Sequence, residues 1–464
     1  MSILLAFVGF ILAMGILVTI HEWGHYIVAR LFNVKVTDFS VGFGRSFFSF
    51  QRGETRFKLG IVPLGGFVKF LDERDEDCLN SKNEDYSRAF NRQSVFVKIA
   101  IVIAGPIVNL VFAWVVFSLI YFSGTTGFKP IFEKVEISSP LAQSISLVNQ
   151  GLDKTLKIIS VDGKKTNTWK EVDQSILQAL VHNKEMISLG VSSVENKGEV
   201  SFLSLSLSNI DINNPKQNRI KLLGFIPKLP EIPVVLGEIK NNSSASAANF
   251  MHGDKIISVD GITVVSWYDF VELIRASAGK KLLISYSRQN VIALKEVNIQ
   301  TSYKNNKPIG FFGASVLLDK TIYEAYRIKT NYSFLESLKL GYTHSVDLIN
   351  MSLTMIKRML FGEVDATNLS GPISIADYSG QALQIGWGAF FNLLALLSLS
   401  LGILNLLPIP ILDGGHLMLY FIEMIKGIPL NSKIELVLQQ FGMLLIFSLT
   451  FFAIFNDMVR ISND

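Results

Sequence analysis

Long apolar segments alternate with long polar segments along this chain. Four stretches are almost continuously apolar over about 20 residues or more, the length that an α-helix needs to cross a bilayer. The third stretch is interrupted by polar residues and prolines, so we expect its backbone to be partly unwound there. We therefore predict four transmembrane helices, in residues 1–30, 94–123, 387–425 and 434–456.

The segments between the apolar stretches differ in length and charge. Residues 31–93 form a loop rich in lysine and arginine, whereas residues 124–386 form a long and more polar region. Positive charge in short loops favours the cytoplasmic side, and long domains cross a membrane largely regardless of charge. We therefore expect the basic loop in the cytoplasm, and the long region and both termini on the far side.

One apolar stretch within the basic loop is too short to span a membrane as a helix. FKLGIVPLGGFVKF, Phe57–Phe70, is rich in β-branched residues and contains Gly65 and Gly66. This pattern predicts a β-hairpin that dips into the membrane, and its exposed edge could pair with a substrate strand. An ordinary cytoplasmic hairpin is the alternative.

The long region contains an internal repeat. IISVDG occurs at Ile158–Gly163 and again at Ile256–Gly261, an offset of 98 residues that also relates Trp169 to Trp267. Each copy predicts a strand, a D-G turn, a short strand, a helix and another strand. A unit of about 90 residues has the size of a domain. We predict two α+β domains and a connecting region, in residues 124–221, 222–303 and 304–386.

Composition agrees with a membrane protein that also carries polar domains. Hydrophobic residues make up 49% of the chain, and the mean hydropathy is +0.37. The formal net charge of +4 is small for 464 residues, so no nucleic-acid partner is expected. The single cysteine excludes an intramolecular disulfide framework.

The first apolar stretch carries a pattern that is typical of zinc hydrolases. His21, Glu22 and His25 follow the order H-E-x-x-H. Two histidines four residues apart on a helix point to one face and form half of a zinc site, and Glu22 can accept a proton from water. Two buried structural histidines are the alternative. Ionisable groups are costly inside a membrane unless they have a function, which favours the zinc site.

A catalytic zinc ion usually takes three protein ligands, so a third ligand must come from elsewhere. The segment NLLPIPILDGGH lies within the third apolar stretch and contains both Asp413 and His416. Residue type and charge allow either of them. A plain D-G turn at Asp413 is the alternative, but a lone carboxylate in lipid needs a partner, and zinc is one.

Other polar or helix-breaking residues lie near these motifs. Asn405 could hydrogen-bond the backbone of an extended substrate, or a neighbouring helix. Pro408 and Pro410 break helical hydrogen bonding in the same segment. Asn109, in GPIVN of the second stretch, could hold a catalytic group or another helix, and packing alone is the alternative. We count Gly65, Gly66, Asn109, Asn405, Pro408 and Pro410 as the candidate substrate-binding residues.

Taken together, these motifs resemble the site-2 family of intramembrane zinc metalloproteases. HExxH in the first span, GPxxN in the second and LDG in the third occur in the family's order, and the resemblance covers nearly the whole chain. The second repeat copy resembles PDZ domains, and the first copy does so more loosely. The fold implied, similar to that of the bacterial branch, is a polytopic α-helical membrane protein with four transmembrane helices, a membrane-embedded β-hairpin and two tandem PDZ-like α+β domains.

The resemblance also implies an activity and a location. It implies Zn2+ held by His21, His25 and Asp413, with Glu22 as general base, and hydrolysis of a peptide bond in a transmembrane segment. Substrates in the family are single-span membrane proteins, such as an anti-sigma factor already cut on its outer side, and remnant signal peptides. The implied location is a bacterial inner membrane, with the termini and PDZ-like domains in the periplasm and the active site opening toward the cytoplasm.

Two readings compete with a protease. A non-catalytic membrane scaffold would hold partners on its PDZ-like domains, but it needs no glutamate between the histidines. A metal transporter would use histidine and aspartate ligands at mid-membrane, but it should show a polar path through several spans. The second and fourth apolar stretches carry little polarity, which favours the protease.

Overall fold

A computed structural model describes residues 3–73, 86–147, 155–194, 200–214, 217–228, 230–304, 307–317, 320–428 and 432–462. The chain divides into two compact units. The first, here called the membrane unit, lies within Met1–Thr125, Ile212–Pro215 and Thr330–Asn463. The second, here called the repeat unit, lies within Thr126–Asp211 and Lys216–Lys329.

The described residues form thirteen α-helices and eighteen strands. The helices are α1 (Ile3–Leu31), α2 (Val95–Phe122), α3 (Pro140–Leu147), α4 (Trp169–Val181), α5 (Arg219–Leu222), α6 (Ser244–Ala247), α7 (Trp267–Arg275), α8 (Lys320–Glu324), α9 (Phe334–Leu360), α10 (Pro372–Ile385), α11 (Trp387–Leu406), α12 (Asp413–Lys426) and α13 (Ser432–Ser462). The strands are β1 (Val36–Arg52), β2 (Thr55–Phe70), β3 (Thr125–Phe128), β4 (Ile131–Val135), β5 (Leu156–Val161), β6 (Lys164–Lys165), β7 (Met186–Ser193), β8 (Val200–Ser206), β9 (Phe225–Pro227), β10 (Leu236–Ile239), β11 (Lys255–Val259), β12 (Ile262–Thr263), β13 (Lys281–Arg288), β14 (Val291–Asn298), β15 (Gln300–Lys304), β16 (Lys307–Phe311), β17 (Ala314–Val316) and β18 (Arg327–Thr330).

Four helices of the described chain, α1, α2, α11 and α13, are long and apolar enough to cross a membrane. The prediction of four such helices is therefore confirmed. The predicted third span is divided, because α11 ends at Leu406 and α12 begins at Asp413. Residues 407–412 between them are not helical and contain Pro408 and Pro410, which lack the backbone N–H that a helix needs.

The basic loop after α1 forms a small sheet, and the prediction of a hairpin within Phe57–Phe70 is wrong. That stretch lies in the single strand β2, whose partner is the preceding strand β1. Val41 of β1 pairs with both Gly66 and Leu59, so the first part of β1 lies between two parts of β2. Both parts of the stretch therefore find their partners in β1.

Both copies of the repeat contain the predicted order of elements. The first has β5, β6, α4 and β7, and the second has β11, β12, α7 and β13. Each D-G turn has two positive φ angles, 49° and 78° at Asp162 and Gly163, and 50° and 81° at Asp260 and Gly261. Positive φ at both central residues defines the type I′ turn that joins two antiparallel strands.

The sheets of the repeat unit continue past the boundaries that the sequence predicts. β9 pairs with β4 in the first copy, beyond the predicted end at residue 221. β17 pairs with β10 in the second copy, and Phe312 lies in that copy's core, beyond the predicted end at residue 303. The repeated motif gave no signal for these strands because they lie outside it.

The end of the predicted connecting region belongs to the membrane unit. In α9, Gly341 leaves no room for a side chain against Ser118 of α2. Leu348 and Ile349, also in α9, pack on a cluster formed by α2 and α11. In α10, Gly380 lies against Ala6 of α1. Close approach of this kind through small residues is typical of packed membrane helices.

Candidate metal centre

Helix α1 places the three polar residues of the HExxH motif together in a buried environment. His21, Glu22 and His25 are 9%, 7% and 8% exposed. The two imidazole rings lie one turn apart, with centroids 4.8 Å from each other and planes at 88°. The motif is therefore a preformed pair of nitrogen ligands with a carboxylate beside it.

Asp413, the first residue of α12, meets this pair. Its Oδ2 lies 3.2 Å from Nε2 of His21 and 3.5 Å from Nε2 of His25. Gly414 makes the turn before α12 possible, since a Cβ there would lie 2.2 Å from the carbonyl oxygen of Leu407. The non-helical break and the small residue after Asp413 together bring the carboxylate to the histidines.

The three ligating atoms have the spacing of a zinc site. His21 Nε2 and His25 Nε2 are 3.3 Å apart, so the triangle has sides of 3.2, 3.3 and 3.5 Å. Zinc bound at about 2.0–2.2 Å in tetrahedral geometry separates its ligand atoms by roughly 3.3–3.6 Å. Oδ2 of Asp413 is buried and accepts no hydrogen bond from any described residue. The residues present therefore fit a zinc ion.

His416, the other candidate third ligand, lies away from this cluster. It is on the same helix as Asp413, and its ring centroid is 6.4 Å from that of Tyr420. Within the described part of the chain, the group of metal-ligating side chains that come together is His21, His25 and Asp413. The fold thus separates two candidates that residue type alone could not.

Helix α2 forms a wall of the centre. A Cβ on Gly105 would lie 2.3 Å from Nε2 of His25 and 2.8 Å from Cε1 of His21. His25 donates from Nδ1 to the carbonyl oxygen of Ile101 at 2.9 Å. Gly105 was not among the predicted site residues, although it is the first residue of the GPIVN motif and lies one turn before Asn109.

Asn109, a predicted substrate-binding residue that could also hold a catalytic group, contacts the centre. Its side chain is fully buried, with Nδ2 placed 3.2 Å from Nδ1 of His21. Ser398 of α11 donates a hydrogen bond to its backbone carbonyl oxygen. Asn109 therefore lies behind His21, at a position from which it could hold a catalytic group.

The remaining predicted substrate-binding residues lie at different distances from the metal ligands. Nδ2 of Asn405 is 3.5 Å from Nε2 of His21. Gly66 allows the backbone of β2 to reach Glu22, since a Cβ on Gly66 would lie 3.0 Å from Cγ of Glu22. The other three residues have different neighbours: Gly65 lies against Phe43, Pro410 lies against Gly442 of α13, and Pro408 lies in the break before α12.

An ion cluster ties the small sheet to the end of α1. Glu54, in the turn between β1 and β2, contacts Arg88 at 2.7 Å and Arg30 at 2.9 Å. Hydrogen bonds from Arg88 and Arg30 lower the pKa of the Glu54 carboxyl to about 2. The turn is therefore held at the end of α1, while Gly66 lies two turns or more back along that helix, beside Val18 and Glu22.

A second buried carboxylate, Asp457 of α13, lies at the start of α10. It is 0% exposed. Oδ1 accepts hydrogen bonds from Gly371 N at 3.0 Å and from Ser374 Oγ at 2.5 Å. Oδ2 accepts from the backbone N–H groups of Ile373 and Ser374, both at 3.0 Å. Asp457 therefore satisfies the free N–H groups at the beginning of a helix.

Comparisons with known proteins give consistent matches. The sequence profile of peptidase family M50 matches residues 9–449. The regulator of sigma E protease of Haemophilus influenzae is 34% identical over 462 residues, covering 99% of this chain and 100% of its own. The regulator of sigma-E protease RseP of Escherichia coli is 32% identical over 462 residues, with the same coverage. A PDZ domain of an SdrC-like protein from Listeria monocytogenes covers 19% of this chain and 93% of its own, at 20% identity and a TM-score of 0.17, which by itself establishes no shared fold.

Proposed function

The chain belongs to peptidase family M50, and on that premise we propose that His21, His25 and Asp413 bind the zinc ion of this site-2-type intramembrane metalloprotease. The observation that carries the proposal is the triangle of ligating atoms, whose sides of 3.2, 3.3 and 3.5 Å suit a tetrahedral ion. Structural zinc sites use four protein ligands, whereas catalytic sites use three and leave a position open. A three-ligand set supports catalysis.

Glu22 is the general base of the proposed reaction. Bound zinc would polarise the scissile carbonyl and lower the pKa of a water to about 7. The Glu22 carboxylate takes a proton from the attacking water and returns it to the leaving amine. Its place next to His21 on α1, 7% exposed, keeps it close to the reacting atoms and away from bulk solvent.

The small sheet offers a partner for an unwound substrate. A transmembrane helix hides its peptide bonds in its own hydrogen bonds, so the substrate must unwind locally before it can be cut. The part of β2 that contains Gly65 and Gly66 pairs with β1 on one side and lies beside Glu22. An edge strand can accept another chain in an extended form, and Asn405 could supply one more hydrogen bond.

The position of the sheet supports its insertion into the membrane with the centre open to the cytoplasm. Glu54 holds its turn at Arg30, where the apolar part of α1 ends. The Gly66 region lies beside Val18, 12 residues or about 18 Å back along α1. Phe47 and Ile61 of the sheet are 67% and 61% exposed, which suits contact with lipid.

The substrate class follows from the site and from the names of the relatives. A metal centre within membrane helices suits a single-span membrane protein, and two relatives are named regulators of sigma E protease. We infer an anti-sigma factor, cut first on its outer side, as the principal substrate in the inner membrane. Remnant signal peptides form a second substrate class, because they too are single apolar helices.

The repeat unit is proposed to control access through its PDZ-like domains. In the second copy, a cavity of about 330 Å3 lies between α7 and the chain from Gly310 to Val316. A groove between a helix and a strand is the place where an extended peptide adds to such a sheet. Because the unit lies between the second and third spans in sequence, with both termini and the repeats in the periplasm, it would also exclude substrates with bulky outer domains.

One pair of assays tests the proposed function. Glu22→Gln should lower the cleavage rate of a single-span reporter by at least about a hundredfold, since a general base contributes 10²–10⁴-fold. Zinc content should stay at the wild-type level, because the three ligands are intact. Glu272→Gln, at an exposed position of α7, is the matched control and should leave cleavage unchanged. Equal cleavage by wild type and Glu22→Gln would contradict the assignment.

A further inference from the structure

We infer that Asn109 is a positioning residue that fixes the tautomer of His21 through its side-chain oxygen. This inference rests on the proposed zinc ligand set. The two side chains face each other across a fully buried contact between α1 and α2, where the amide nitrogen stands 3.2 Å from Nδ1 of His21. The amide oxygen of Asn109 is buried and has no hydrogen-bond partner within the described chain.

When His21 binds a metal through Nε2, the proton on its other ring nitrogen determines which atom of Asn109 faces the ring. His21 presents Nε2 to the cluster, and that nitrogen must be free of a proton to bind a metal. The proton then resides on Nδ1, which becomes a donor and needs an acceptor. An amide nitrogen cannot accept, whereas the amide oxygen can. Rotating the amide by 180° exchanges the two atoms, which are distinguished only by the hydrogen bonds they make.

His25, the other histidine of the motif, already has an acceptor for the proton on Nδ1. His25 donates from Nδ1 to a backbone carbonyl oxygen of α2, at Ile101, and so directs Nε2 to the cluster. Helix α2 offers His21 no comparable carbonyl contact in the described structure, and the side chain of Asn109 is the group in that place. A ligating histidine almost always donates its other N–H to an outer partner, which raises its basicity and fixes its ring.

A residue of the neighbouring helix α11 holds Asn109 in its position. Its backbone carbonyl oxygen accepts from Ser398, which is 0% exposed and lies on α11. Gly105, one turn earlier, allows α2 to approach both imidazoles. The second span therefore contributes a wall of the centre and the acceptor that orients one ligand, without touching the metal.

Zinc affinity of the purified full-length protein tests the inference, measured by competition between Zn2+ and a chelator. Asn109→Leu has a similar size but no acceptor, and it should bind zinc about 10- to 100-fold more weakly. Asn109→Asp keeps an acceptor and should hold zinc at least ten times more tightly than Asn109→Leu. Ser118→Ala, which alters another buried polar residue of α2, is the matched control and should bind as wild type does. His21→Ala should lose the site.

The outcomes separate the inference from the proposed function. If His21→Ala keeps wild-type affinity, the ligand set is wrong. If His21→Ala loses zinc but Asn109→Leu binds as tightly as wild type, the ligand set stands and the role of Asn109 is wrong. Equal losses in Asn109→Leu and Asn109→Asp would also overturn that role. Should Asn109→Leu not fold, the same difference is expected between Asn109→Ala and Asn109→Asp.

Discussion

Two carboxylates in the membrane unit, the buried Asp457 and the partly buried Asp413, have opposite surroundings. Asp457 accepts four hydrogen bonds, two on each oxygen, from the first turn of α10. Oδ2 of Asp413 is buried 3.2 and 3.5 Å from Nε2 of His21 and His25, and it forms no hydrogen bond in the described structure. Both lie at the beginning of a helix. Only Asp457 has both of its oxygens hydrogen-bonded by the protein.

This difference separates a structural carboxylate from one that awaits a ligand. Leaving a buried polar group without a partner costs about 1–3 kcal/mol, and more for a charge. Because both oxygens of Asp457 are hydrogen-bonded, this residue fastens α13 to α10. Oδ2 of Asp413 lacks a hydrogen bond and lies next to two histidine nitrogens, which is the arrangement that a cation would complete.

The largest expected effect comes from neutralising the unsatisfied carboxylate. Asp413→Asn should reduce zinc affinity more than about a hundredfold, because losing even an outer partner of a ligand costs 10- to 100-fold. Cleavage of the reporter should fall to the background level. Zinc content after dialysis and the cleavage rate measure the two effects.

The thermal stability of metal-free Asp413→Asn should not fall below that of the metal-free wild type, since the change removes a buried charge that lacks a hydrogen bond. A clear drop in that stability would mean that Asp413 is structural in the same way as Asp457. The contrast between the two carboxylates would then fail.

Neutralising Asp457, the hydrogen-bonded carboxylate, should lower the stability of the protein and leave its zinc affinity unchanged. Asp457→Asn leaves one oxygen as an acceptor and turns the other position into a donor that faces backbone N–H groups. We expect a loss of about 2–4 kcal/mol of stability, from two buried N–H groups without acceptors. Thermal unfolding in detergent should begin at a lower temperature, whereas zinc affinity should match the wild type. A loss of zinc without a loss of stability would contradict the comparison.

The smallest effect concerns a third buried carboxylate, Asp254 in the repeat unit, and depends on pH. Its side chain is 1% exposed and contacts Nε of Arg288 at 2.7 Å. Burial opposes ionisation, but hydrogen bonds from Arg288 and from the backbone N–H of Met251 outweigh it and hold the pKa of Asp254 below its usual value. Asp254 is therefore, like Asp457, a buried carboxylate that is hydrogen-bonded by the protein.

Because the folded pKa of Asp254 is lowered, its contribution is complete above the unfolded pKa of about 3.9 and is lost as pH falls through the folded value. We expect Asp254→Asn to weaken the second repeat copy by about 1–3 kcal/mol near pH 6. The difference from wild type should shrink as the pH approaches 3. Hydrogen exchange in β11 and β13 measures this difference in stability. A difference that stays constant from pH 6 to pH 3 would rule out the ion pair as the cause.

Local patterns in the sequence determined the elements and half of the metal centre. Runs of apolar residues predicted four membrane helices, and such helices are present. The spacing of His21 and His25 placed two candidate ligands on one helix face because helical geometry is a property of neighbouring residues. The repeated IISVDG predicted two D-G turns, and both have the positive φ angles of a hairpin turn.

Contacts between distant segments were decided by the tertiary structure. Residue type and charge left Asp413 and His416 open, and the resemblance favoured Asp413; the break after α11 and the packing of α12 bring Asp413 to the histidines. The GPIVN motif singled out Asn109, but its contact with His21, like that of Asp457 with the start of α10, joins residues more than 80 positions apart and has no local signal. Pairing of β2 with β1, and not with itself, depended in the same way on a partner outside the stretch. Periodicity and spacing describe neighbours along the chain, whereas a metal site and a satisfied buried charge require atoms within about 3 Å, which only packing provides.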